Sequence, residues 1–228
     1  MSLRTPAAIA LLLGLSATSL LANKDQGRRL ADAAKALDEI MSASDKAIPA
    51  SVLDKAECVV VVPGMMKGGF IVGGQFGKGA VVCRGDRKTG WGSPAMIEMG
   101  GGSVGLQIGA SATDVVMLIM DREGMRSLLK SKFTLGGDAS VAAGPVGRAT
   151  TAETDALMQS KILSYSRSRG AFAGIALKGA TLRQDDSANK DLYGRAMEAK
   201  DILAGGVPSP AAAKPLTDVL AKYSPNGT

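Results

Sequence analysis

The chain contains no histidine at all among its 228 residues. That absence removes Ser-His-Asp and Cys-His nucleophile systems and every histidine-containing metal site. Aromatic residues are scarce as well, with one Trp, three Tyr and four Phe. There is no charge run, no low-complexity tract and no internal repeat. No basic stripe carries interleaved aromatics, so the charge pattern argues against nucleic acid as a partner. Lys and Arg total 27 against 21 Asp and Glu, a net charge of +6. That mild excess suits contact with an anionic lipid or another acidic surface.

Glycine is abundant, at 29 residues, nearly twice its usual share. Two glycine-rich stretches imitate nucleotide-binding loops and fail on context. In "GGFIVGGQFGKGAVVCRG" the Gly77-Lys78 pair is followed by Gly79 rather than Ser or Thr, and the position five before Gly77 is Val72. "GGGSVG" (100–105) has the spacing G-x-G-x-x-G, but the strand-like "LQIGAS" follows it. Neither stretch opens a helix whose N-terminus would face a phosphate. The glycines are expected to serve turns, bulges and close strand packing. Asp185 and Asp186 are adjacent, point apart, and read as a helix cap. Asp138, in "LGGDASVAAG", reads as a turn or backbone cap rather than a catalytic acid. No enzyme and no cofactor are expected.

The first 22 residues stand apart. Arg4 precedes the apolar run Ala7–Leu21, and polar "NKDQGRR" follows Ala22. This has the form of a secretory signal cleaved after Ala22, with an uncleaved anchor as the alternative. The expectation is an exported protein, periplasmic or in the cell envelope, with residues 23–228 forming one domain. Cys58 and Cys83 both sit in strand-like runs. In an oxidising compartment they are candidates for a disulfide, two buried free thiols being the alternative.

Apolar residues recur at helical spacing over 23–46, through Leu30, Ala33, Ala34, Leu37, Ile40 and Met41. "IPASVLDKAE" (48–57) predicts a second short helix. From Cys58 the period changes to short β-type runs broken by Gly or Pro. "VVMLIM" (115–120) lacks alternation and is expected to be buried on both faces. "REGMRSLLKS" (122–131) predicts a helix. Strands are expected within 132–147, 162–168 and 171–182, with a hairpin around "SRSRG". "DDSANKDLYG" (185–194) and 211–222 predict the last helices. The fold class is α+β: a glycine-rich, largely antiparallel sheet, a sandwich or partly closed barrel, flanked by N- and C-terminal helices.

Three long strings carry a family resemblance: "IPASVLDKAECVVVVPGMMKGGFIVGGQFGKGAVVCR", "KFTLGGDASVAAGPVGR" and "ILSYSRSRGAFAGIALKGATLRQDDSAN". Their order and wording resemble the SYLF family over roughly residues 30–220. The resemblance implies a lipid-binding module or, as in fungal members, an actin-binding domain. Animal members bind phosphoinositides through an N-terminal amphipathic helix and basic surface residues. By position, the 23–46 helix is the counterpart here, with Arg28, Arg29 and Lys35 as its basic candidates. Lys67 and Lys78 flank the glycine hairpin, with Arg84 and Arg87 just beyond. Lys132, Arg148, Arg167 and Arg169 border the other strings. Gathered on one face, such groups would contribute on the order of 1 kcal/mol each at an anionic membrane; scattered, they are ordinary solvated charges. The first helix inserts its apolar face into lipid or, as the stronger expectation, buries it in the core. Trp91 is an interfacial anchor or, more in keeping with "PAMI" beside it, a core residue. The partner is therefore expected to be an anionic membrane surface. The alternative is an envelope protein, docked on an exposed edge of the sheet.

Overall fold

The computed structural model describes residues 7–43, 47–70, 72–85, 90–104, 109–121, 123–124, 132–146, 160–168, 171–172, 177 and 179–225. Helix α1 runs Ala7–Met41 and α2 Ala50–Asp54. Four long strands follow: β1 Cys58–Phe70, β2 Val72–Cys83, β3 Ala95–Val104 and β4 Gly109–Ile119. The shorter strands are β5 Lys132–Thr134, β6 Val141–Ala143, β7 Ile162–Ser168, β8 Ala171–Phe172 and β9 Thr181–Gln184. Helices α3 Asp186–Tyr193, α4 Ala199–Leu203 and α5 Lys214–Tyr223 complete the described chain. The α+β class is borne out.

All the strands join one sheet in the order β5-β9-β3-β2-β1-β4-β7-β6, with β8 paired to β7. Every pairing is antiparallel except β6 with β7. The edge strands β5 and β6 are separated in sequence only by the turn at 135–140, where Leu135 bridges Ala139. The sheet therefore curls into a half-barrel whose two edges approach each other. Each edge strand is three residues long, which leaves little ladder for an incoming strand. Among the described residues, these two outermost strands offer little template for docking on a sheet edge, one of the sequence expectations.

Both faces of the sheet are buried at its centre, over Val115–Ile119 and the strand segments beside them, as the pattern of residues 115–120 predicts. Val59, Val61, Ala80, Val82, Val116 and Leu118 face α1, α2, α3 and α5. Val60, Val62, Val81, Val115, Met117 and Ile119 face inward, against Phe133, Leu135, Leu177, Leu182 and Ile202. The apolar stripe of α1 is fully enclosed: Leu30, Ala33, Leu37 and Ile40 each have 0% exposure. This helix is a core element by residue 30, which is the stronger of the two sequence expectations for that face.

Several boundaries differ from the sequence expectation. Helix α1 stops at Met41 rather than 46, and its regular backbone begins upstream of Asn23, at Ala7. "GGFIVGG" is not a separate strand. Its halves end β1 and begin β2, because paired neighbours on both sides supply the ladder that glycine alone would not favour. The break in β1 lies earlier, at Pro63-Gly64. Proline cannot donate to the ladder, and a bulge there shifts register against both neighbours. Gly64 takes φ +54°, and its N–H donates to Asp114 Oδ1 at 2.8 Å. Residues 132–147 divide into β5 and β6 at Gly136 (φ +79°), where Thr134 N–H donates to Asp138 Oδ2 at 2.6 Å. Asp138 is thus the turn cap expected of it. The ends of the expected strand at 171–182 are β8 and β9, and residues 173–176 and 178 lie outside the described residues. The expected 122–131 helix lies mostly outside the described residues.

Cys58 and Cys83 are opposite one another on β1 and β2 and form a disulfide. It closes a loop with a sequence separation of 25, contributing about 3 kcal/mol by restricting the unfolded chain.

Candidate functional site

Asp185 organises the polar interior between helix and sheet. It caps α3: its Oδ1 accepts from Ala188 N–H at 3.1 Å and from Ser187 Oγ at 2.9 Å. Its Oδ2 accepts from both terminal nitrogens of Arg29, at 3.0 and 3.1 Å, and from Lys78 Nζ at 3.2 Å. One carboxylate thus ties α1, β2 and α3 together while only 5% exposed. Burial pushes its pKa up, but the hydrogen bonds from Ser187, Ala188, Lys78 and Arg29 outweigh that and hold it at about 2. A depressed folded-state pKa contributes stability that is present above the unfolded value near 4 and is lost as pH falls towards 2. At pH 7 the shift is worth about 2 kcal/mol. Asp185→Asn should therefore lower the melting temperature at pH 7 by about 5 °C. Wild type and variant should converge as the pH approaches 2, which thermal melts across a pH series will check.

The basic residues singled out in the sequence are dispersed by the fold. Arg29 and Lys78 are partners of Asp185. Arg28 pairs with Asp25, Lys35 lies 3.9 Å from Glu39, and Arg167 also pairs with Glu39. Lys132 is exposed on an edge strand. Arg148 and Arg169 lie outside the described residues, as does Arg87. Arg84 is corrected from a surface cation to a buried one, with 5% exposure. Its Nε donates to Ala56 O at 3.1 Å, and its Nη2 donates to Ser224 Oγ. Its guanidinium lies 4.0 Å from the Trp91 ring centroid. Trp91 in turn donates to Ser224 O at 2.8 Å, so its role is in packing. Desolvation lowers the Arg84 pKa, against the opposing pull of Asp54 and Glu57. Lys67 and Lys78 cannot form one patch with it. Lys78 shares the helix-facing side of β2 with Ala80, whereas Lys67 shares the inner side of β1 with Met65.

Met66 and Phe76 escaped the sequence reading. They are directly opposed across β1 and β2, and they are 53% and 50% exposed. With Arg28, Asp32, Pro63 and Lys78 they line an open groove between α1 and the β1–β2 hairpin. The available signal was the alternation Phe76-Lys78-Ala80, which puts Phe76 on the helix side of the sheet at a point where the facing residues of α1 are charged.

No group of three metal-ligating side chains occurs among the described residues. The groove offers apolar contact and mixed charge.

Residues 100–223 match the family model Ysc84, described as "Las17-binding protein actin regulator". The chain belongs to the Ysc84 family. This bears out the SYLF resemblance. Similar proteins include the SH3 domain-containing protein PJ696.02 of Schizosaccharomyces pombe, 38% identical over 78% of this chain and 41% of that protein. Protein YSC84 of Saccharomyces cerevisiae is 36% identical over 81% of this chain and 40% of its own length. The human SH3 domain-containing YSC84-like protein 1 is 33% identical over 88% of this chain and 59% of its own. The chain thus spans about two-fifths of these fungal Ysc84 relatives and about three-fifths of the human one.

Proposed function

We propose that this Ysc84-family chain is a non-catalytic binding module whose partner is a protein, engaged at the groove that carries Met66 and Phe76. The observation that carries this reading is the exposed cross-strand pair itself, two large apolar side chains with a charged rim. Paired apolar anchors inside a polar rim are how protein interfaces concentrate binding energy. The family description, an actin regulator, supplies the first probe. The full chain should co-sediment with filamentous actin, and Met66→Ser/Phe76→Ser should weaken that binding at least tenfold while leaving the melting temperature within a few degrees of wild type. Undiminished binding by the double variant would remove the groove from the reading.

A membrane surface is the second reading, favoured by one feature. The far ends of β1 to β4, residues 68–70, 72–77, 99–104 and 109–113, contain no charged side chain. An uncharged end bearing Met66 and Phe76 on a protein of net charge +6 suits shallow contact with anionic lipid. Salt-sensitive sedimentation with anionic vesicles, absent with zwitterionic ones, is the result this reading expects.

We separately propose export to the periplasm or envelope, supported by the leader-like residues 1–22 and by the disulfide, in which case filamentous actin serves as a probe of the groove rather than as its native partner. Protein recovered from its native host should begin at about Asn23 on N-terminal sequencing. Full-length chain found only in the cytoplasm would overturn it.

A further inference from the structure

Among the described residues, Met66 is the one exposed methionine. Met41, Met65, Met96, Met99 and Met117 are buried, and Met120 and Met197 are half-buried. Its chain neighbour gives the sharpest contrast. The alternation of β1 turns Met65 into the inner cluster, at 0% exposure. A Cβ added to Gly77 on β2 would stand 3.1 Å from both Cβ and Cγ of Met65, so β2 packs closely against that side chain. Met66 points to the other side of the sheet and lies directly opposite Phe76. Beyond this pair, Gly68 and Gly74 oppose one another, both exposed and with open space where a Cβ would stand. A small reagent in water therefore reaches the Met66 side chain and not that of Met65.

We infer that Met66 is a reversible modification site, at which a peroxide oxidises the thioether to the sulfoxide and so disables the groove. The inference rests on the reading of that groove as a protein-binding surface. The sulfur lone pair attacks one oxygen of hydrogen peroxide as the O–O bond breaks. An S–O bond forms, the proton on the transferred oxygen passes to the departing hydroxide, and water leaves. Sulfur loses two electrons and the peroxide gains them. The product is a polar hydrogen-bond acceptor in place of a flexible apolar side chain. In the free protein the new oxygen stays hydrated, because Met66 is exposed. On binding, the same oxygen is taken out of water against an apolar partner surface with its hydrogen bonds unmade. The penalty falls on the complex and not on the fold. Sulfoxide reductases remove the oxygen as water, oxidising a pair of thiols to a disulfide, and return the thioether.

The test uses the full chain as wild type, Met66→Leu and Met66→Ser/Phe76→Ser, treated with dilute hydrogen peroxide that is removed before binding is measured. Mass spectrometry of the tryptic peptide 56–67 follows Met65 and Met66 together. Met66 should gain oxygen about tenfold faster than Met65 in the native protein, and the two should react alike in urea. Oxidised wild type should lose about tenfold in affinity for filamentous actin and keep its melting temperature within a few degrees. Its fluorescence with the apolar-surface dye ANS should fall towards that of Met66→Ser/Phe76→Ser. The dye reports on the groove with no partner present, so it decides the effect of oxidation even where actin does not bind. Met66→Leu should give the same binding and dye signal before and after treatment, and sulfoxide reductases with a thiol should restore oxidised wild type. Equal native rates at Met65 and Met66 would overturn the site. So would unchanged affinity and dye signal once Met66 is oxidised, or a loss on treatment in Met66→Leu equal to that of wild type. Each of these results leaves the weakened binding of Met66→Ser/Phe76→Ser standing. Undiminished actin binding by that variant defeats the groove reading itself, and the inference with it, whatever the oxidation rates.

Discussion

Replacing Leu37 and Ile40 with serine is expected to unfold the protein rather than to release it from a membrane. Both side chains have 0% exposure and belong to the cluster that joins α1 to Val59, Val61, Ala80 and Val82. Truncating a buried Leu or Ile costs about 2–5 kcal/mol, and serine adds an unpaired hydroxyl at each site. The pair should remove on the order of 6 kcal/mol, comparable to the whole stability of many domains, about 5–15 kcal/mol. Thermal or urea denaturation should show a non-cooperative or strongly shifted transition. A variant that melted like wild type but no longer bound vesicles would instead mean that α1 leaves the core to act.

The second large effect is expected at Arg84. Arg84→Met should cost about 3–5 kcal/mol, the usual consequence of removing one member of a buried charged network. Three contacts go at once: the bond to Ala56 O, the bond to Ser224 Oγ and the stack on Trp91. Ser224, itself fully buried and donating to Asp54, loses the group that holds it. Arg84→Lys should recover little, because an ammonium cannot reproduce a planar fork with two separate acceptors. Urea denaturation of the three proteins will order them. Near-equal stability of wild type and Arg84→Met would return Arg84 to the surface set.

The elements with strong local signals were legible in the sequence. Helix α3 has both its cap, Asp185, and its stop, Gly194 at φ +70°. The strand at 115–119 carried its two-sided burial in an unbroken apolar run, and the Cys58–Cys83 pair followed from two strands joined by one excursion. The glycine-rich strands were not legible as long elements, because their stability comes from neighbours on both sides rather than from their own residues. The candidate site was read least well. Charge type is visible in a sequence, but partnership is not: Arg29 and Lys78 meet Asp185 across 156 and 107 residues of chain. Asp185 was readable as a cap and unreadable as the anchor of two cations. The side of the sheet taken by Lys67 depended on the Pro63–Gly64 bulge, which resets the alternation between Val62 and Met65.

The turn at 135–140 joins β5 and β6, which hold opposite edges of the same sheet. Residues adjacent in the chain thereby carry the last pairings of two edges that have no other neighbour among the described residues. Fraying at either edge loosens the other through a few residues of backbone. The amides of 132–134 and 141–143 should then exchange with solvent as one opening unit, rather than as two independent ends.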